Sequence, residues 1–476
     1  MQNTGNFWID NGYAQLSLLW GQEWAANDPQ TLITSIAQQI YTPTGNQGEY
    51  YDKITGTIKS YKKQNKVCDF CGKQAPTTDA KQYLFPFVID PAKFGNFYGG
   101  LKRGFQLCAQ CTLAGFAGHL SWIWCKADNT YQFYLFRSDI NKLMSLYSDV
   151  LRVEFLKGDS RGGNFEPPFR GRYAHEMLLA ILLRPFQVLS ARSSQASGLD
   201  ILEELTGARP ASGLPWTLYA ITGDYGGNSL AFRSVLQFDR FQQMYRLYED
   251  WIKNKKMPGD NPATTLEQVF AQFQRRDQKR TETLWLNQIA RAILTFEDPT
   301  PFVEKFLYDV SIETERPLRR GTLECLTLYL QEVLKMEEQL RKTIAGFGSE
   351  LGKTAATKNE VGLLYDLRNA KNLDQYLNVL NKIQFTLGLR INERLAQVEP
   401  NERVAVAPWM RVKTLLDTHL SGESLGCECE RLSHRGQCPD HQKNHLARRE
   451  YPALYLWASR APHAARPPRR FGLHPV

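Results

Sequence analysis

Apolar residues recur at helical spacing through much of the chain, and short aromatic runs interrupt that pattern in the first half. Residues 1 to about 50 predict helix, because four apolar side chains repeat along one helical face: Tyr13, Leu16, Leu19 and Trp20. Two aromatic-rich runs, 122–126 and 131–136, flank the turn-forming residues 127–130. This arrangement predicts a β-hairpin.

The middle of the chain combines helix with a second hairpin. Residues 174–190 and 198–206 predict two helices, and Gly207 ends the second one. A hairpin is predicted at 216–237, where two apolar runs flank a glycine-rich turn.

Residues 238 to 420 are almost entirely helical in pattern. They include a long amphipathic helix predicted over 318–342 and another over 373–395. The change from mixed to helical patterning along the chain predicts an α+β fold.

Composition and charge narrow the class of protein. The 476 residues are 42% hydrophobic and 22% charged, which is typical of a globular protein. The formal charge of +9 permits a nucleic-acid partner without requiring one. No secretory signal and no apolar run of about 20 residues is visible, so we expect a cytoplasmic protein with no membrane partner.

The strongest chemical signal is a pair of CxxC motifs. Cys68 and Cys71 form the first pair, and Cys108 and Cys111 form the second. Two residues between cysteines let both thiolates reach one tetrahedral ion, so the pairs predict a structural zinc site closed by four ligands. Four buried free cysteines, or a redox CxxC, are the alternative interpretations.

With this site included, the chain divides into four predicted parts. The N-terminal half is mixed, with a four-cysteine zinc module and β-hairpins, and the C-terminal half is a helical bundle. The parts are a mixed domain at 1–160 with the zinc module at about 59–120, a mixed middle region at 161–300, a helical bundle at 301–420 and a basic tail at 421–476. The Pro/Arg/His-rich tail resembles a disordered extension or a translated altered reading frame.

The sequence carries no recognisable catalytic signature. His175 and Glu176 begin like a zinc-protease HExxH motif, but Leu179 stands where the second histidine belongs. No phosphate-binding loop, nucleophile elbow or zinc-deaminase motif is present. These absences favour a binding protein over an enzyme.

Several basic runs predict contacts with nucleic-acid phosphates, although each run alone is also typical of a solvated face. Two of them precede the two CxxC pairs, so zinc would bring them to one side of the module. The predicted nucleic-acid-binding residues are Lys59, Lys62, Lys63, Lys66, Lys102, Arg103, Arg161, Arg170, Arg172, Arg275, Arg276, Arg319 and Arg320.

The opening residues complete a recognisable pattern. The segment Thr4-Gly5-Asn6-Phe7-Trp8-Ile9-Asp10-Asn11-Gly12 resembles the TGNPFVDAG start of a CRISPR-associated family named for its two CxxC pairs. That family is the large subunit of type I CRISPR effector complexes (Cascade) of the I-A/I-B kind. Phe7 and Trp8 replace the family's Pro and Phe, and the tail beyond residue 420 has no counterpart in it.

The resemblance implies a non-catalytic subunit of an RNA-guided antiviral defence complex. Such subunits bind the crRNA 5′ region and the backbone subunits, recognise the PAM on target double-stranded DNA, support R-loop formation and recruit a nuclease-helicase or a transposition adaptor. The candidates for PAM reading are Gly226, Gly227 and Asn228, because glycine permits close backbone approach and asparagine can read base edges. An ordinary hairpin turn is the alternative interpretation of these three residues.

Two other functions remain open at this point. One is a zinc-stabilised nucleic-acid-processing enzyme with an unrecognised active site. The other is an interaction scaffold that binds no nucleic acid and uses its helical half.

Overall fold

The fold is mixed α+β, as predicted, with both sheets in the N-terminal half and helices in the C-terminal half. The structure is a computed structural model. It describes residues 3–21, 23–42, 44–57, 65–81, 84, 105–127, 130–151, 163–165, 169, 171, 173–191, 199–208, 213–226, 229–253, 262–273, 284–314, 320–360, 362–396, 398 and 409–423.

The N-terminal half carries two antiparallel sheets. Helices α1 (Phe7–Trp20), α2 (Pro29–Ile40) and α3 (Gly48–Thr57) precede a three-stranded sheet of β1 (Asn65–Val67), β2 (Gln74–Asp79) and β3 (Gln106–Cys108), and α4 (Ala109–Ala117) follows it. A four-stranded sheet is then formed, in spatial order, by β4 (Ile123–Ala127), β5 (Thr130–Arg137), β6 (Thr217–Gly226) and β7 (Ser229–Phe238).

Among the described residues, helices make up most of the connection between β5 and β6 and most of the C-terminal half. The connection contains α5 (Ile140–Ser145), α6 (Ala174–Ala191) and α7 (Leu199–Thr206). The later helices are α8 (Phe241–Lys253), α9 (Pro262–Ala271), α10 (Leu284–Thr295), α11 (Thr300–Thr314), α12 (Arg320–Glu332), α13 (Glu338–Thr357), α14 (Gly362–Asn369), α15 (Leu373–Leu387), α16 (Glu393–Ala396) and α17 (Trp409–Glu423).

Both predicted hairpins form, and they join into one sheet. Strand β5 pairs with β6 from Thr130 opposite Asp224 to Arg137 opposite Thr217. The sheet therefore connects chain from the stretches predicted as the N-terminal domain and the middle region. The domain boundaries themselves stay predictions.

The four-stranded sheet separates two hydrophobic clusters. Along β5, Phe133 and Leu135 belong to one cluster, with α1, α2 and α4, whereas Tyr134 and Phe136 belong to the other, with the helices of the C-terminal half. Successive side chains of a strand point to opposite faces, so a strand buried on both faces is almost continuously apolar. This explains why the β5 sequence shows no polar alternation.

Helix α1 is fixed by the residues of the opening motif. Asn6 caps the helix by accepting from the backbone N–H groups of Trp8 and Ile9. The buried Asp10 carboxylate accepts from the backbone N–H and the hydroxyl of Thr4, at 2.7 and 2.8 Å. These bonds hold the residues before α1 against the first turn of that helix.

The same helix is bonded to its neighbours through buried polar groups. The Asn11 amide donates to the carbonyl of Phe136 on β5, and its oxygen accepts from the Tyr147 hydroxyl at 2.6 Å. The Trp8 indole N–H donates to the carbonyl of Gly115 on α4. Satisfied polar groups of this kind fix one arrangement of α1, because breaking any of them would leave a buried donor or acceptor unpaired.

Helix α17 is held in the C-terminal layer by ion pairs as well as by apolar packing. It packs against α11, α13 and α14, and its Arg411 and Lys413 side chains are less than a tenth exposed. Arg411 pairs with Asp298 at 2.7 Å, and Lys413 pairs with Glu304 at 2.5 Å and donates to the carbonyls of Arg368 and Ala370. Removing either cation would leave a half-buried carboxylate without its ion-pair partner.

The predicted long helix over 318–342 was wrong. Helix α12 ends at Glu332 and α13 begins at Glu338, with Lys335 between them at φ +53°. A left-handed residue after a helix stops it, and a lysine in that conformation has no glycine-like signal in the sequence. The helix predicted over 373–395 also ends early, at Leu387, where Gly388 is left-handed.

Helix α17 continues past the predicted tail boundary at residue 420 to Glu423, and the rest of the tail lies outside the described residues. No helix in the described part of the chain combines the length and the apolarity needed to cross a bilayer.

The contact between α1 and α4 gives a test of the architecture. A Cβ atom on Gly12 would lie 1.7 Å from the Ala114 carbonyl oxygen, so Gly12→Ala must push the two helices apart. We expect a loss of about 2–4 kcal/mol in the free energy of unfolding. The control is Gly346→Ala in α13, where nothing lies within 4 Å and a gain of up to about 1 kcal/mol is expected from helix propensity. If chemical denaturation gave the Gly12 variant the same free energy of unfolding as the wild type, the close packing of α1 and α4 would be contradicted.

Candidate metal centre

The first CxxC pair lies in a tight turn that leaves β1. The Gly72 N–H donates to the Cys68 carbonyl, and the Cys68 N–H donates to the Lys73 carbonyl, both at 2.9 Å. Gly72 has φ +69°, a conformation that glycine adopts without strain. The turn brings the Cys68 and Cys71 sulfurs to one side of the strand pair.

The second pair lies where β3 becomes α4. Cys108 is the last residue of β3 and Cys111 is in the first turn of α4. The antiparallel register of β2 and β3 places Thr77 opposite Cys108. Asp69, in the first turn, makes two hydrogen bonds with the backbone of Gln106 on β3, at 2.5 and 2.9 Å. These bonds hold the turn against the strand that carries Cys108.

This arrangement gathers four sulfur atoms. The Sγ atoms of Cys68, Cys71, Cys108 and Cys111 all lie within 4.8 Å of one another, and three of the residues are buried. The Cys71 and Cys108 sulfurs are 3.7 Å apart. Two ligands at zinc–sulfur distance in a tetrahedron would be about 3.8 Å apart, so the spacing fits a single tetrahedral ion. The predicted ligand cluster is confirmed.

Two protein groups make hydrogen bonds with these sulfurs. The Cys108 backbone N–H donates to the Cys68 sulfur at 3.4 Å. The Tyr13 hydroxyl of α1 lies 3.5 Å from the Cys111 sulfur. Burial, with the nearby Cys111 charge, raises the pKa of Tyr13 well above its ordinary value, so the phenol stays protonated and can donate.

The thiols interact strongly without a metal. Hydrogen bonds from Cys108 and Cys111 hold the pKa of the Cys68 thiol far below its usual range. Hydrogen bonding to Cys108 and Cys68, together with burial, raises the pKa of the Cys111 thiol far above its usual range. A divalent ion that binds all four thiolates must displace the protons that remain, so metal affinity should rise with pH.

The sequence did not predict that Tyr13 contacts the cysteine cluster or that the opening motif packs beside it. In sequence, Tyr13 is one of four apolar residues on a helical face, and its hydroxyl has a partner only once α1 and α4 meet. Gly12 directly precedes it and packs against Ala114. A glycine on a buried helical face was the available signal, since it permits close approach of another backbone.

Most of the predicted nucleic-acid contacts lie outside the described residues. These are Lys59, Lys62, Lys63, Lys102, Arg103, Arg161, Arg170, Arg172, Arg275, Arg276, Arg319, Gly227 and Asn228. Lys66 is half-buried on β1, Arg320 is the first residue of α12 and Gly226 is the last residue of β6. Their predicted roles stay predictions.

In the described part of the chain, His119 and Cys325 lie in apolar surroundings. His119 packs among the rings of Trp8, Phe116 and Trp122, and burial lowers its pKa to about 4. Cys325 is buried in the core. Among the described residues, the four cysteines are the only group of three or more His, Cys, Asp or Glu with ligand atoms close enough to share an ion.

No protein-family model matches the chain, and no curated protein is significantly similar to it. Functional assignment therefore depends on the residues and geometry of this chain.

Removing one sulfur tests whether the four cysteines share an ion. Cys108→Ser should abolish stoichiometric metal content, measured by elemental analysis, and lower the melting temperature, because metal-binding free energy in such a site is folding free energy. Cys125→Ser is the matched control, since Cys125 is half-buried on β4 and contacts Gln132 instead. Full metal content in the Cys108 variant would contradict a shared site.

Removing the Tyr13 hydroxyl tests its hydrogen bond with the Cys111 sulfur. Tyr13→Phe should weaken metal binding about 10- to 100-fold in a chelator competition, because partners of metal ligands carry that much affinity. Tyr147→Phe removes a different hydrogen bond to α1, the one to Asn11, and should lower stability while leaving metal affinity unchanged. Equal affinities for the Tyr13 variant and the wild type would show that the contact does not act on the metal.

Proposed function

We propose that this protein is the non-catalytic, nucleic-acid-binding large subunit of an RNA-guided type I CRISPR effector complex, and that its four cysteines hold a structural zinc ion. Thiolate ligands in a tetrahedral set favour zinc among the common divalent ions. Four protein ligands fill the coordination sphere and leave no position for a reacting water. The ion in this proposal stabilises the fold and activates no substrate.

One observation carries the proposal: the two parts of the family pattern are packed together. The opening residues 4–12 and the CxxC pairs are far apart in sequence, yet Gly12 contacts Ala114 and Tyr13 reaches Cys111. A chance match to a short N-terminal motif would give no reason for that motif to lie on the cysteine cluster. The packing therefore supports a common fold as the reason why the opening motif and the CxxC pairs occur in one chain.

The described residues at one end of the four-stranded sheet support a role in DNA recognition. Gly226 ends β6 on the same side as the β4–β5 turn, because Thr130 is paired with Asp224. The Lys126 ammonium lies 5.3 Å from the Tyr131 ring centroid at this end of the sheet. A cation and an aromatic ring at the end of the sheet where Gly226 lies suit contact with DNA.

In this proposal the subunit binds crRNA and the backbone subunits, reads the PAM on target double-stranded DNA and supports R-loop formation. The guide then reads the remaining sequence by base pairing. The chain recruits a nuclease-helicase or a transposition adaptor for the later step, and it cleaves nothing itself.

Co-purification tests the proposal directly. The full-length tagged chain is expressed with its neighbouring genes, and any bound RNA is sequenced. We expect a uniform short RNA with repeat-derived ends, together with backbone subunits. The control is the tagged chain expressed alone, which should carry no such RNA. A metal-loaded chain that brings down neither RNA nor subunits would overturn the proposal and favour the enzyme or scaffold alternatives.

A further inference from the structure

Two phenylalanines stack at the edge of the metal-binding unit, which consists of β1, β2, β3 and α4: Phe105 is exposed and Phe70 is half-buried against the core. Phe70 lies between the ligands Cys68 and Cys71, and Phe105 directly precedes β3. Their ring centroids are 5.6 Å apart and their planes are 23° from parallel. Phe105 is 52% exposed, and nearby on β1 the Val67 side chain is 53% exposed.

The pair is held in place by the fold. The backbone of Asp69, the neighbour of Phe70, is bonded to Gln106, the neighbour of Phe105. The Phe105 carbonyl accepts from the Ala80 N–H at 2.8 Å. A metal ion on Cys71 and Cys108 would fix both rings further. The rings therefore lose little conformational freedom when a ligand binds, which favours affinity.

The charges around the pair suit a phosphate-linked ligand. Lys73 follows the first CxxC turn and Lys81 follows Ala80, and both are exposed, while Lys66 is half-buried on β1. The acidic groups on the same strands and turn are Asp69 and Asp79. Both carboxylates accept hydrogen bonds from Gln106, one from its backbone N–H and one from its side chain.

We propose that Phe70 and Phe105 form a stacking platform for an unpaired base of single-stranded DNA, with the adjacent lysines contacting the phosphates. Exposed aromatic rings beside cations are how proteins bind single strands without sequence preference. A base within a duplex is already stacked on both faces and is excluded. The inference deepens the proposed function and rests on it, because it names the strand state that this surface binds.

A protein partner is the less suitable occupant. Stable protein interfaces bury about 800 Å² on each partner, far more than two rings and one valine offer. A stacked base needs only one ring face. The platform therefore matches a nucleotide in size.

Binding of labelled oligodeoxythymidine to the full-length, metal-loaded protein tests the platform. Phe105→Ala should weaken binding roughly 5- to 100-fold in fluorescence anisotropy at low salt, the loss that one stacked base represents. Phe105→Trp should retain binding, whereas Phe105→Leu, which is apolar without a π face, should lose it. Binding of the oligo(dA)·oligo(dT) duplex should change little in any variant.

Two controls establish that a loss of binding arises at the platform itself. Phe385→Ala removes a phenylalanine that is 86% exposed on α15, away from the metal-binding unit, and should leave oligodeoxythymidine binding unchanged. Metal content and melting temperature must match the wild type in the Phe105 variants, which shows that the unit is intact.

The possible failures are distinguishable. If the wild type binds oligodeoxythymidine and Phe105→Ala or Phe105→Leu binds it equally well, the platform is wrong and the proposed function stands. If the wild type binds no nucleic acid, single-stranded or duplex, both are overturned.

Discussion

The contact between α1 and α4 is the interaction on which the rest of the structure depends. Gly12 lets the two helices approach until backbone meets backbone, and Tyr13, the next residue, places its hydroxyl beside the Cys111 sulfur. On its other side α1 is bonded through Asn11 to the carbonyl of Phe136 in the four-stranded sheet. One helix thus joins the cysteine cluster to the sheet, so the metal would stabilise more than its own small unit.

The four-stranded sheet connects the fixed position of α1 to both halves of the protein. Its strand β5 is buried on both faces, with the α1–α4 layer on one side and the C-terminal helices on the other. The C-terminal layer is fixed differently, by buried ion pairs on α17 such as Arg411 with Asp298. Apolar packing alone tolerates small shifts between helices, whereas satisfied buried charges permit few alternative arrangements.

The chemistry of the metal-binding unit connects to the proposed function through rigidity. A four-thiolate site performs no reaction on a substrate, but it fixes short strands that have too little apolar surface to fold alone. Phe70 and Phe105 lie on those strands and turns, and their stacked arrangement depends on the same backbone bonds that close the site. A surface for binding a flexible single strand benefits from such a support, because only the ligand then loses conformational entropy on binding.

The sequence by itself determined the class of fold, both hairpins, most of the helices and the four cysteines that cluster. These features are local. Apolar residues repeat every 2 residues in strands and every 3.6 in helices, and a two-residue gap lets both cysteines of a pair reach one ion. Tertiary structure decided where the opening motif lies, the role of the Tyr13 hydroxyl, the merging of two hairpins into one sheet and the break at Lys335. Each of these depends on a partner distant in sequence or on a backbone conformation that the residue type does not disclose. The stacked pair of Phe70 and Phe105 belongs to the same class, since only the paired strands bring the two rings together.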